Sequence, residues 1–214
     1  MLNGLDICAG SGVGSLAFER AGLSRTVCYI ERDPYCQRII EQRQRDGWLS
    51  PAPIWDDLRT FNGRPWRGCV DFIFGGIPCQ PYSCAGKQRG AADERDLWPD
   101  TRRIIREVGP RLVLIENVTG LLARPDWMGR ILGELAEDGF DAEWATVSAA
   151  DVGAWHLRKR VWIVAYARDA RPPRAGGRDE HCCKIGIPGD EGAEDGRGIV
   201  AYAASRRREA GDWS

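Results

Sequence analysis

Long apolar runs are missing from this 214-residue chain, and no stretch of 18 apolar residues occurs. A membrane-spanning helix is therefore not expected. The N-terminus, Met1-Leu2-Asn3-Gly4-Leu5-Asp6, has neither the basic stretch nor the apolar run of a secretory signal. Excess charge is missing too: 30 basic against 31 acidic residues leave a net charge of -1. The chain as a whole is no polycation, so any face for nucleic acid must be local. Eight cysteines are present, but metal-ligand spacing is not. Cys182 and Cys183 are adjacent beside His181, without Cys-x2–4-Cys spacing or a second pair nearby, so no metal site is expected. Cysteines without signs of secretion predict free thiols in a reducing, cytoplasmic compartment. No internal repeat is visible.

What is present is ordinary globular composition, 43% hydrophobic and 29% charged, which excludes wholesale disorder and a collagen-like chain. The length suits one domain with a core of its own. Residues 1–168 alternate short apolar runs with Gly/Pro turns and helical segments. Residues 169–214 are Gly-rich, with nine basic and nine acidic residues counted from Arg168 on. They read as loop or tail, or the start of a reduced recognition region, except for a short strand near Gly198–Tyr202.

Within the first zone the predicted strands are Gly4–Cys8, Thr26–Glu31, a short piece near Ile54, Val70–Phe74 and Leu112–Glu116. The last is expected to be followed by an edge hairpin, Asp141–Ser148 with Val161–Tyr166. Helices are predicted over Gly14–Ala21, Pro34–Gln44, Trp98–Val108 and Trp127–Glu137, and Gly75-Gly76 is expected to break the fourth strand. Strand–helix alternation of this kind predicts an α/β, Rossmann-like fold: a mostly parallel sheet with helices on both faces.

Asp6-Ile7-Cys8-Ala9-Gly10-Ser11-Gly12-Val13-Gly14 joins the first strand to the first helix. Glycines allow a tight turn and close approach of backbone to a ligand. Glu31 ends the second strand, where a carboxylate can accept hydrogen bonds from ribose hydroxyls. Together they point to a nucleoside-bearing cofactor, and both a dinucleotide and S-adenosylmethionine fit. In Ile54-Trp55-Asp56-Asp57-Leu58 one carboxylate suits an adenine amino group; spacing alone does not choose between Asp56 and Asp57.

The sharpest local feature is Gly75-Gly76-Ile77-Pro78-Cys79-Gln80-Pro81-Tyr82-Ser83. It follows the fourth strand, at the carboxyl edge of the sheet. Two glycines and two prolines make a compact loop that presents Cys79, the most nucleophilic ordinary side chain. Glu116-Asn117-Val118 ends the fifth strand at the same edge, where Glu116 can exchange a proton near Cys79. Arg158 and Arg160, in His156-Leu157-Arg158-Lys159-Arg160, share one face if the backbone is extended. Guanidinium groups there suit carboxylate or phosphate.

In this order the motifs resemble the DNA cytosine-C5 methyltransferases, especially phage and bacterial members, over about residues 4–167. The resemblance implies S-adenosyl-L-methionine as cofactor and double-stranded DNA as partner. It places Asp6, Cys8, Gly10, Gly12, Gly14, Glu31, Asp57, Gly76 and Pro78 at the cofactor, and favours Asp57 as the adenine contact. Cys79 is implied as nucleophile toward cytosine C6, Glu116 as partner for N3, and Arg158 as support for the base. Arg160 belongs to the same motif. Arg95-Asp96-Leu97-Trp98 loosely resembles a family stretch that follows a DNA-closing loop, here Ser83–Glu94. The implied chemistry makes sense of the set: thiolate addition at C6 drives electron density to C5, which takes the sulfonium methyl. Loss of the C5 proton then expels the thiolate, with water as the proton acceptor. A cytosine in a duplex must first be displaced from the stack.

This chain departs from the family pattern at Cys8, where phenylalanine is frequent, at Val13, and at Trp155-His156, where proline and glutamine are usual. No match to the family's recognition region or later motifs is found in residues 168–214, which allows a second chain that supplies them. Other readings are a silent or partner-dependent subunit of the same fold, an RNA cytosine methyltransferase, and an NAD-linked oxidoreductase. The last leaves Cys79, Glu116 and Arg158 without a common task. The basic candidates for phosphate are Arg102, Arg103, Arg106, Arg158, Lys159 and Arg160.

Overall fold

The computed structural model describes residues 1–78, 96–123, 125–169 and 199–201, the last three as backbone only. Eight strands form one sheet: β1 (Leu2–Ile7), β2 (Ser24–Ile30), β3 (Ile54–Trp55), β4 (Phe72–Gly76), β5 (Leu112–Val118), β6 (Phe140–Ser148), β7 (Lys159–Ala167) and β8 (Ile199–Ala201). Four helices accompany them: α1 (Val13–Arg20), α2 (Pro34–Arg45), α3 (Trp98–Val108) and α4 (Pro125–Glu137). The strand order is β6-β7-β5-β4-β1-β2-β3-β8. Strands β1 to β5 pair in parallel, and β6, β7 and β8 are antiparallel to their neighbours. The edge hairpin and the short strand near Ile199 are thus both present. Chain order reverses between β1 and β4, the switch point where open α/β sheets leave a crevice at their carboxyl ends.

One expectation fails. Gly75 and Gly76 continue β4 rather than break it, pairing with Ile7, Ile115 and Glu116. The reason is space: a Cβ on Gly75 would lie 1.9 Å from the Ile7 carbonyl oxygen. Glycine here lets two central strands approach.

The larger core lies on the face covered by α3 and α4. It gathers Leu5, Ile7, Ile73, Val113, Ile115, Val161, Ile163 and Ala165 under Trp98, Ile104, Ile105, Ile131 and Leu135. On the other face Phe18 of α1 meets Phe72 and Phe74 edge-on, at 5.1 and 4.8 Å between ring centroids. Tyr29, Ile40, Leu49, Ala52 and Ile54 form a second cluster at α2. Helix α2 starts as its sequence dictates, with Pro34 in its first turn and Asp33 accepting from the Tyr35 N–H.

Among the described residues, helical coverage of that second face stops at β4. Along β5 the burial alternates, with Val113 and Ile115 fully buried and Leu112 and Leu114 only half-buried. Trp162 and Val164 on β7 are likewise half-buried, and Tyr166 is exposed. No described helix is long and apolar enough to cross a membrane.

Arg102 and Arg103, candidates for phosphate contact, are committed to the fold. Arg102 binds Asp138, Glu137 and Glu134 of the α4 end. Arg103 donates to the carbonyls of Leu58, Arg59 and Phe61 and pairs with Glu107. Trp98 is fully buried and donates to Glu134 at 2.6 Å, and Asp96, just before α3, accepts from the Trp98 N–H.

Candidate active site

The glycine turn is held from below by Asp6. Its buried carboxylate accepts from the Ser15 hydroxyl at 2.6 Å, and Ser15 accepts from Thr26. Burial raises the Asp6 pKa to about 7, against the lowering effect of the Ser15 hydrogen bonds. Asp6 therefore braces the turn from within. Cys8 sits at φ 50, outside the ordinary range for a side-chain-bearing residue. Burial, then the nearby Glu31 carboxylate, push its thiol up to about 12, so it is no nucleophile near neutrality.

Gly10 and Gly12 have φ of 55 and 75. A side chain on Gly12 would strike Leu49, whereas no described residue lies within 4 Å of the Cβ position on Gly10. Gly14 packs over Phe74. Glu31 closes the turn: its two oxygens accept from the N–H groups of Gly10 at 2.6 Å and Asp33 at 2.7 Å. Each oxygen keeps a second lone pair for an incoming hydroxyl.

At the end of β3 the two aspartates separate. Asp57 accepts from the Arg59 N–H at 2.9 Å and pairs with the Arg59 side chain at 3.8 Å. Asp56 holds a buried Oδ1 with no partner among the described residues. A nucleoside cofactor fits this crevice on two observations: the open space beside Gly10 and the orphaned acceptor at Asp56, next to Glu31, whose N–H donates to the Trp55 carbonyl.

Across the switch point, Glu116 pairs in register with Gly76 on one side and Trp162 on the other. Arg160, diagonal to it, donates from Nε to Glu116 Oε1 at 2.8 Å. A Cβ on Gly76 would lie 3.0 Å from Oε2, so glycine keeps that oxygen clear. Arg160, and not Arg158, reaches Glu116. Arg158 precedes β7, is exposed, and has no side-chain partner among the described residues. Pro78 is exposed at the end of the described segment. Cys79 and the loop through Arg95 lie outside the described residues.

Two contributors had no recognised signal in sequence. Arg43, 32 residues from the glycine turn, donates to the Ser11 carbonyl and pins it. Asn117 is buried; it donates to the Ile77 carbonyl at 3.4 Å and accepts from the Val118 N–H. It thereby ties the start of the Pro-Cys loop to β5. The Glu116-Asn117-Val118 motif contained it, but its polar side chain was legible only as a neighbour of Glu116.

Residues 2–182 match the family C-5 cytosine-specific DNA methylase. The chain belongs to that family. Among curated methylases, it is 41% identical to the type II methyltransferase M.NgoMIV of Neisseria gonorrhoeae, over 75% of this chain and 50% of that protein. It is 33% identical to M.NaeI of Lentzea aerocolonigenes, over 78% of this chain and 40% of that protein. The chain thus spans about half or less of the length of these relatives. A solved structure of a Spodoptera frugiperda DNMT2 variant superposes with TM-score 0.66 at 18% identity, covering 84% of this chain and 54% of that one. The S. pombe Dnmt2 methyltransferase gives 0.62 at 19% identity, covering 80% and 51%. At these identities the structures speak for a shared fold, which is the Rossmann-like methyltransferase fold described above.

Proposed function

We propose that this chain methylates C5 of cytosine in double-stranded DNA, with S-adenosyl-L-methionine as donor and Cys79 as nucleophile. The observation that carries this is the Glu116–Arg160 pair, 2.8 Å apart at the sheet edge reached by the Gly76-Ile77-Pro78 segment that leads to Cys79. The cofactor, when bound, supplies an electrophilic methyl group. Glu31 would receive its ribose hydroxyls and Asp57, beside Asp56, its adenine amino group. Gly10, Gly12 and Gly14 shape the turn around it. Asp6 stabilises that turn from below; Cys8, Gly76 and Pro78 border it.

In this reading the Cys79 thiolate adds to C6 of a displaced cytosine. Arg160 fixes one oxygen of Glu116 and leaves Oε2 to meet N3, where charge changes during addition. Exposed Arg158 is free to approach the base or a phosphate. Loss of the C5 proton to water ends the cycle by expelling the thiolate.

Transfer of labelled methyl groups to duplex DNA tests this, together with covalent trapping on duplexes carrying 5-fluorocytosine. The expected result is transfer and a trapped adduct, both lost in Cys79→Ser. Transfer to tRNA and not to duplex DNA would assign RNA as the substrate instead.

A partner-dependent form of the same activity is favoured by one observation, the incompletely covered apolar face of Leu112, Leu114, Trp162 and Val164 among the described residues. Sheets of this kind bury both faces. In this form a second chain supplies the covering element. Activity that appears only when such a chain is added would establish this form.

A further inference from the structure

The turn between β6 and β7 carries a feature that methyl transfer does not account for. Trp155 is 95% exposed, Val152 76% and Leu157 73%. Three large apolar side chains within six residues are held in water, on a turn that is firmly built. Ala149 N–H donates to the Arg158 carbonyl at 3.0 Å and Ala154 N–H to the Ala149 carbonyl at 2.9 Å. Asp151 accepts from the Ser148 N–H and donates its own N–H to the Ser148 hydroxyl. Gly153, at φ 91, closes the short helical turn over Ala150–Val152.

The position of this turn is informative. β7 is antiparallel to β5, and Arg160 lies opposite Val118, at the carboxyl end of β5. The tip therefore projects past the edge that carries Glu116. Cations outnumber acids on the turn. Arg158 and Lys159 are exposed cations, and His156 packs edge-on against Trp155 at 5.2 Å. The single acid of the turn, Asp151, accepts from the Ser148 N–H, which with the nearby Lys159 holds its carboxyl below the usual range, so it stays ionised and offsets part of the Lys159 charge. Glu116 is occupied by Arg160.

We infer that this turn is a nucleic-acid contact in which Trp155 stacks on a base beside the displaced cytosine, while Lys159 and Arg158 meet the flanking phosphates. An aromatic plate with cations a few residues away matches nucleic acid, since every base offers a π face and every nucleotide a negative charge. The cations favour nucleic acid over a protein partner, and the described residues leave Trp155 outside the core. The inference rests on the DNA-methylating reading above and adds the surface that grips the strand.

The test uses the 214-residue chain and a fluorescently labelled duplex with a single target cytosine, titrated over a range of salt. Trp155→Ala is expected to weaken binding on the order of tenfold while leaving the salt dependence unchanged. Trp155→Phe, which keeps a ring, should recover most of that loss. Lys159→Ala should instead lower the slope of log K against log salt by about one. Far-UV circular dichroism, the thermal midpoint and S-adenosylmethionine binding should stay at wild-type values in Trp155→Ala, because the side chain touches little. Wild-type affinity in Trp155→Ala would overturn the inference, as would a Trp155→Ala change confined to the oligomeric state. A wild-type chain that binds no duplex and forms no adduct on 5-fluorocytosine DNA would overturn the methylating reading itself, which separates the two failures.

Discussion

Gly75→Ala is the substitution whose cost follows most directly from the structure. The new methyl carbon would lie 1.9 Å from the Ile7 carbonyl oxygen and 2.7 Å from Ile7 Cγ1. Ordinary contact begins at 3.4 Å, so a gap of about 1.5 Å must open between β1 and β4. Neither strand can step aside: β1 is pinned by β2, and β4 by β5. The obstacle is backbone, so no rotamer change relieves it. Overpacking costs roughly 1–3 kcal/mol, and stretching one or two ladder hydrogen bonds adds about 1 kcal/mol each. The expected loss is about 4 kcal/mol, a large share of the roughly 5–15 kcal/mol of a typical domain. Gly10→Ala is the matched control: φ is +55 and nothing lies within 4 Å, so only left-handed backbone strain of about 1–2 kcal/mol is expected. Urea unfolding followed by far-UV circular dichroism measures both. Gly75→Ala within 1 kcal/mol of wild type, or no more costly than Gly10→Ala, would refute the steric reasoning.

Asp6→Asn tests the buried carboxyl. Its folded pKa of about 7 exceeds the ordinary 3.8, so its contribution is fully present below about pH 4 and lost as pH rises through 7. Wild type should therefore lose stability relative to Asp6→Asn over that window, by roughly 3–4 kcal/mol at the upper end; parallel profiles in urea would count against it. Arg160→Ala should depress methyl transfer more than Arg160→Lys does, with cofactor binding retained, because Arg160 holds Glu116 at 2.8 Å. Equal loss in the two variants would deny the orienting role. Arg102→Ala should cost about 2 kcal/mol in thermal or urea unfolding, since it removes charged hydrogen bonds to Asp138 and Glu137. A neutral result would mean that solvent screens the cluster. Glu31→Ala should abolish calorimetric binding of S-adenosylmethionine, through the ribose contacts proposed for it and through release of the Gly10 N–H.

Much of this protein was legible in its sequence because its elements are local statements. Apolar runs bounded by Gly and Pro marked the strands, and Trp98–Val108 emerged with its predicted ends. The glycine turn, Glu31 and Glu116 fall at carboxyl ends of parallel strands, where alternation of strand and helix puts a site, and the arginine pair meets that edge from the amino end of antiparallel β7. Long-range choices were decided elsewhere. Whether Gly75 breaks or continues a strand depends on how near Ile7 comes. Which arginine reaches Glu116 depends on antiparallel register, and an offset of two residues separates Arg160 from exposed Arg158. Arg102 and Arg103 looked like free cations until α4 and the 58–61 segment supplied their partners. Periodicity and turn chemistry act over a few residues, so a sequence displays them openly. Register, close approach and charge pairing join residues tens of positions apart, and only the folded chain brings those partners together.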